Sequence, residues 1–217
     1  MPSLETEVAG ISFPNPFILA SGPPTANGSM ISAGFDAGWG GAVLKTVALE
    51  PTPMASPRVH ILRRGRQQRG MVNIELNTVF HLLHCFPYLD LIRSTHPTRP
   101  IIVSVMGGGC ADDWQEAMRR LESHGGTAYE LNVSCPNYSE HRGAQLGQDP
   151  EALAEVIGWA KAATDLPVWV KLTPNVTDIV ALARVAEEAG ADAITATNTL
   201  SGLAGIDLES FSPLPAV

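Results

Sequence analysis

One feature constrains this chain more than any other: an alternation of short apolar runs and helical stretches, sustained from end to end. The runs lie at 17–20, 42–45, 101–106, 128–132, 168–171 and 193–197. They are rich in Val, Ile and Ala and nearly continuous in hydrophobicity, as strands of a helix-covered parallel sheet are. Helices are expected at 29–37, ending at Gly38, and at 79–93, which Pro87 kinks or splits. Others are expected at 112–123, before Gly125-Gly126, at 150–163, with Asp149 as N-cap and Pro150 at N1, and at 177–189, with a Thr177 cap and a stop at Gly190. Ahead of them, residues 5–13 alternate around Gly10 and read as a β-hairpin. Strand and helix alternating over the whole length define a parallel α/β fold.

Two architectures satisfy that alternation. A doubly wound nucleotide binder carries a Gly-rich fingerprint after its first strand. Here the first strand is followed by Ser21-Gly-Pro-Pro24, whose prolines cannot present an amide cradle. Polar residues sit instead at the C-terminal ends of successive strands: Ser21, Lys45-Thr46, Asn132, Lys171 and Thr197-Asn-Thr199. In a (β/α)8 barrel all those ends meet at one mouth. The expectation is therefore an incomplete (β/α)8 TIM barrel with an N-terminal β-hairpin. Residues 1–217 form a single domain that carries about six of the eight strands and stops before strands 7 and 8.

Composition narrows the chemistry. With 217 residues, 45% hydrophobic and 17% charged, the chain can bury a core. Its net charge of -8 argues against nucleic-acid binding, which needs clustered Lys and Arg for phosphate contacts. The one basic run, Arg63 to Arg69, reads as a solvated loop or as a flap over an anionic cofactor. Three widely spaced cysteines make neither a disulfide framework nor an iron–sulfur cage, and suit a reducing cytoplasm. The expectation is of no secretory signal and no membrane span, since no basic-then-apolar run opens the sequence and no apolar run reaches the roughly 18 residues of a span.

Several side chains at the expected mouth can do chemistry. Lys45 and Lys171 end strands, and a buried ammonium needs a partner. That partner is a carboxylate such as Glu75 or Glu130, a substrate carbonyl in a Schiff base, or negative charge on a reduced flavin. Asn73, Asn132 and Asn198 offer paired donors and acceptors, which suit a neutral, flat, imide-like ring better than a phosphate. Cys135, in a polar loop after the fourth strand, is mostly thiol at neutral pH and able to donate a proton. Cys85 lies on an apolar helix face, as core, and Cys110 starts a helix after Gly107-Gly-Gly109. The six histidines show no metal spacing; His81 and His84 are surface or core, and His141 lies just beyond Cys135.

Six strings in order carry a family resemblance: Gly38-Trp-Gly-Gly41 with Lys45-Thr46, Asn73-Ile-Glu-Leu76, Glu130-Leu-Asn-Val-Ser-Cys-Pro136, Gly147-Gln-Asp-Pro150, Val170-Lys-Leu-Thr-Pro-Asn-Val-Thr-Asp178, and Ala196-Thr-Asn-Thr199. Together they resemble the FMN-and-pyrimidine domain of dihydropyrimidine dehydrogenases, including the catalytic subunit of the bacterial NAD-dependent form; dihydroorotate dehydrogenases are related. The resemblance implies FMN contacts from Ser21, Lys45, Thr46 and Lys171, and a pyrimidine held by Asn73, Glu75, Asn132, Ser134, Asn198 and Thr199. It implies reduction of the C5–C6 double bond of uracil or thymine, with hydride from FMN and a proton from Cys135. NAD(P) would act indirectly, through a partner domain or subunit with FAD and iron–sulfur centres, in a cytoplasmic oligomer. The Gly-rich phosphate loops of such relatives lie beyond Val217. Dihydroorotate oxidation is the alternative, disfavoured because Glu75 would repel the carboxylate of orotate. A further alternative is a fragment inactive without a C-terminal part or a partner.

Overall fold

The computed structural model describes residues 3–49, 58–74, 81–134 and 146–215. Its centre is a wholly parallel six-stranded sheet. The strands are β3 (Ile18–Leu19), β4 (Gly41–Val47), β7 (Ile101–Val105), β8 (Ala128–Asn132), β9 (Val168–Leu172) and β10 (Ala193–Ala196). In space they lie β3-β4-β7-β8-β9-β10, the order in which the chain makes them. That monotonic order has no switch point, so the sheet is singly wound, as in a barrel, and not doubly wound. Six of eight barrel strands are thus present among the described residues.

Helices cover the outer face: α1 (Gly28–Asp36), α2 (Phe86–Thr95), α3 (Ala111–Leu121), α4 (Pro150–Lys161) and α5 (Ile179–Glu188). Their ends follow local chemistry. The Asn27 side chain caps α1 by accepting from Met30 N at 3.0 Å, and Asp149 caps α4 through Glu151 N and Ala152 N. At α5 the cap is Asp178, one residue beyond the expected Thr177, because its carboxylate accepts from both Val180 N and Ala181 N. Pro87 splits the 79–93 stretch: a 3-10 turn over Leu82–Cys85 precedes α2, and the proline takes the first turn of α2, where no N–H is needed. Among the described residues no helix is long and apolar enough to cross a membrane.

Two hairpins complete the fold. Strands β1 (Thr6–Val8) and β2 (Ile11–Phe13) pair antiparallel about Ala9-Gly10, both at positive φ, and form the expected N-terminal hairpin. Strands β5 (Arg58–Arg64) and β6 (Gln67–Ile74) form a second antiparallel ribbon. The basic run therefore lies in a paired hairpin, not a loop, and turns at Gly65 (φ 60°). The sequence hid this ribbon because its pattern is broken by arginines and glutamines, which a ribbon outside the main sheet can leave in water.

The concave face of the sheet has its own small core. Ile18, Val43, Ile102, Ala128, Trp169 and Ala193, one from each strand, cluster with Val8, Ile11 and Phe13 of the N-terminal hairpin. The hairpin thus plugs the end of the lumen where the strands begin. Phe13 is 1% exposed, and its ring packs against Trp169. The larger core lies between sheet and helices.

Candidate active site

Because strand side chains alternate faces, the residues two positions beyond that apolar layer point into the same lumen. They are Lys45, Ser104, Glu130, Lys171 and Thr195. The lumen thus passes from an apolar floor to a polar, ionic layer. Glu130 is 1% exposed, Ser104 fully buried and Lys171 8% exposed. Burial pushes the Glu130 carboxyl up; the Lys171 charge and the Thr195 and Ser104 hydroxyls pull it partly back. Thr195 Oγ1 donates to Glu130 Oε2 at 2.8 Å, while Glu130 Oε1 has no hydrogen-bond partner among the described residues.

Above this layer lies a hydrogen-bonded network that spans the mouth. It begins at an irregularity in β4. Leu44 pairs with Val103 and Val47 with Val105, so Lys45 and Thr46 together oppose Ser104. The extra residue re-aims Thr46 inward, a common use of a bulge beside a functional site. Thr46 Oγ1 shares a hydrogen bond with Ser104 Oγ at 2.9 Å and accepts from Asn132 Nδ2 at 3.0 Å. Its backbone N–H donates to Ser21 Oγ at 3.2 Å. Asn132 Oδ1 in turn accepts from Ser134 N, Ser134 Oγ and Asn198 Nδ2, and Asn198 Nδ2 also donates to Ser134 Oγ. Asn198 Oδ1 accepts from the N–H and hydroxyl of Thr199.

These groups rim one cavity of about 500 Å3 at the C-terminal ends of the strands. Ser21, Lys45, Thr46, Asn73, Asn132, Ser134, Lys171, Asn198 and Thr199 all line it. Nine of the eleven residues expected at the site thus converge. Asn73 arrives from the β5–β6 ribbon and not from a strand end of the sheet, which brings that ribbon over the mouth. Glu75, Cys135 and His141 lie outside the described residues. Cys85 is buried, with its thiol pushed up to about 12 by burial, and Cys110 is exposed at the start of α3; neither lines the cavity. His81 accepts from Leu83 N and shapes the turn before α2. Among the described residues no cluster of His, Cys, Asp and Glu could hold a metal ion.

Sequence reasoning missed Ser104, Thr195 and Asn175. The first two are polar interruptions of apolar strand runs, in register with Lys45 and Lys171, and that spacing was the available signal. Asn175, in the loop after β9, accepts from Ser201 N at 2.9 Å and donates to Thr199 O, so it ties the loop after β10 to the rim. Its carbonyl accepts from Gln148 Nε2 at 2.8 Å.

Fold and site together define a parallel β/α barrel protein with a ligand mouth of lysines, amides and hydroxyls. A profile described as dihydroorotate dehydrogenase matches residues 3–216. The chain belongs to the dihydroorotate dehydrogenase family. It is 38% identical to the chloroplastic dihydropyrimidine dehydrogenase (NADP(+)) of Arabidopsis thaliana, over all of this chain and 53% of that protein. It is 32% identical to the NAD-dependent dihydropyrimidine dehydrogenase subunit PreA of Escherichia coli K12, over 99% of this chain and 52% of that one. The catalytic subunit of dihydroorotate dehydrogenase B (NAD(+)) from Pyrococcus furiosus is 34% identical, over 98% of this chain and 67% of that protein. The chain therefore spans about half the length of the dihydropyrimidine dehydrogenases it matches. In fold it resembles the crystal structure of DHODH from Eimeria tenella in complex with ferulenol, with a TM-score of 0.73 and 21% identity over 99% of this chain and 65% of that one.

Proposed function

We propose that this chain is the FMN- and pyrimidine-binding part of an oxidoreductase that reduces the C5–C6 double bond of uracil or thymine. The observation that carries the reading is the connected network Thr46–Asn132–Ser134–Asn198, set beside Lys45 and Lys171 around one cavity. The cavity volume falls within the roughly 300–1,000 Å3 of cofactor and ligand pockets. The donor set fits a flavin ring: two ammonium groups suit an edge that gathers negative charge, and hydroxyls and amides suit carbonyls and ring N–H groups. Lys45, Lys171, Ser21 and Thr46 would hold FMN, which when bound supplies hydride exchange. Asn73, Asn132, Ser134, Asn198 and Thr199 would hold the pyrimidine ring flat. Glu75 would discourage a substrate carboxylate. Cys135, next after Ser134 in the chain, would donate the proton to ring carbon C5. Electrons from NAD(P) would arrive through a partner domain or subunit with FAD and iron–sulfur centres.

Flavin content after purification, and steady-state reduction of uracil against oxidation of dihydroorotate with an artificial electron acceptor or donor, test the reading. Retained FMN with turnover of uracil or thymine is the expected result; a preference for dihydroorotate moves the chain to the other branch. Cys135→Ala should keep FMN and pyrimidine binding and lose about 10²–10⁴-fold in turnover, the usual worth of a general acid. A second reading rests on β10, which pairs with β9 alone among the described residues: turnover needs further polypeptide against that edge. It predicts that the chain by itself retains little FMN.

A further inference from the structure

The ionic layer below the network has a property that the flavin and pyrimidine assignments leave unused. Glu130 is a carboxyl at 1% exposure, on the lumen side of β8, with one oxygen held by Thr195 and the other without a hydrogen-bond partner among the described residues. A buried carboxyl with a free acceptor is costly unless a cation compensates it. The titratable groups of the described lumen are three: Lys45 on β4, Glu130 on β8 and Lys171 on β9. From β7, β10 and β3 come only the hydroxyls of Ser104, Thr195 and Ser21. Glu130 is the carboxyl among these, and the Lys171 charge acts on it. The register sets the two on neighbouring strands. Glu130 pairs with Trp169, two residues before Lys171, and Thr195, which holds Glu130 Oε2, pairs directly with Lys171.

We propose that Glu130 is the positioning residue of Lys171: its buried carboxylate is the counter-charge that directs the ammonium at the mouth. Lys171 is electrostatically tethered from below, with Thr195 fixing the tether. A ligand above it meets a pre-set positive charge that needs no reorganisation when negative charge develops. Glu130 touches neither ligand and acts only through Lys171. The consequence for FMN rests on the flavin reading; the pairing does not.

Three measurements test it. The first uses the flavin-free protein: amine-selective labelling of Lys171 at pH 8 by a small reagent, read by peptide mass spectrometry, with Lys45 as the internal reference. Glu130→Gln removes the charge and keeps the shape, so Lys171, no longer held by its counter-charge, should label about tenfold faster. Glu130→Asp keeps the charge and should stay within about threefold of the parent. An unchanged Lys171 rate in folded E130Q overturns the pairing, and so does an equal acceleration at Lys45, which would report general loosening. The second measurement is a thermal-unfolding cycle of E130Q, K171M and the double variant. The double variant should recover much of the Tm lost by either single change, even if E130Q alone fails to fold; additive losses overturn the proposal. The third is FMN titration of the parent chain. Faster Lys171 labelling without flavin uptake sustains the pairing, which does not depend on FMN; flavin uptake with unchanged labelling overturns the pairing and leaves the flavin reading standing.

Discussion

Thr46→Val is the sharpest perturbation of the mouth. Valine matches threonine in shape but removes the hydroxyl, and Thr46 is only 5% exposed, so water cannot replace what is lost. Two well-formed hydrogen bonds end on that oxygen, Ser104 Oγ at 2.9 Å and Asn132 Nδ2 at 3.0 Å. The Ser21 hydroxyl, at 3.4 Å, is too distant to count for much. Each buried polar group left without a partner costs about 1–3 kcal/mol. Ser104 can rotate toward Glu130 and belongs at the low end; the Asn132 amide, 8% exposed, has less freedom. The sum is about 2–3 kcal/mol. With a urea m-value near ~2 kcal/mol/M, the unfolding midpoint should fall by about 1–1.5 M. Thr46→Val combined with Ser104→Ala should cost less than the two single changes together, because one orphan is removed with its partner. Urea unfolding followed by circular dichroism measures all three variants. A loss below about 0.5 kcal/mol, or strict additivity, would refute the network as a buried, mutually satisfied unit.

Two further outcomes follow from the scaffold. A Cβ at Gly41 would lie 2.7 Å from the Phe13 ring, inside contact distance, so Gly41→Ala should displace the hairpin plug and cost about 1–3 kcal/mol in chemical denaturation; a neutral effect would mean that the plug is loosely seated. Asp192 accepts from Val168 N and Lys161 Nζ, both at 2.7 Å; burial works against its ionised form, but these bonds prevail and hold its carboxyl below the ordinary value. Its stabilising effect is therefore complete above the ordinary Asp value and is lost as pH falls through the lowered one; Asp192→Asn should flatten that part of the stability–pH curve, and an unchanged acid limb would refute the assignment.

How much of this was legible in the sequence depends on which force placed each element. The inner strands β4, β7, β8 and β9, buried on one side by helices and on the other by the lumen, are apolar almost throughout, and their runs were visible for that reason; the runs of the half-buried edge strands β3 and β10 were visible from composition alone. Helix ends carried by single side chains, such as Asp149, were equally plain. Thr177 and Asp178 were not separable in advance, since both are good caps and only the path of the chain decides which faces the first turn. The β5–β6 ribbon was hidden because it pairs with itself outside the sheet, and Asn73 therefore reached the mouth by a route that strand order does not foretell. Lys45, Lys171 and Asn132 were findable at strand ends. Ser104 and Thr195 needed the register, which places residues from separate strands side by side and leaves no trace in a local window; Glu130 was legible as a candidate lysine partner, but only the register sets it beside β9, the strand of Lys171.

The lumen explains why stability and chemistry can coexist in so small a space. Its floor, built from Ile18, Val43, Ile102, Ala128, Trp169 and Ala193 with the hairpin residues Ile11 and Phe13, excludes water and contributes packing. Charges placed there would carry the full cost of desolvation. One step higher, Lys45 and Lys171 line the cavity and Glu130 lies buried in the same layer, deep enough for its field to be weakly screened. Higher still, the amides and hydroxyls of Asn132, Ser134 and Asn198 satisfy one another, so the rim stays ordered without a ligand. On the proposed function, a flat ring that enters the mouth would exchange hydrogen bonds with this network and would not have to create one, while the charged layer beneath it would supply charge. Reversing the order, with amides below and ions at the rim, would screen the charges with water and bury the amides that the proposed function assigns to recognition. On the proposed function, that vertical sequence of apolar floor, charged layer and amide rim is what would let the strand ends bind a neutral ring and still respond to negative charge that develops on it.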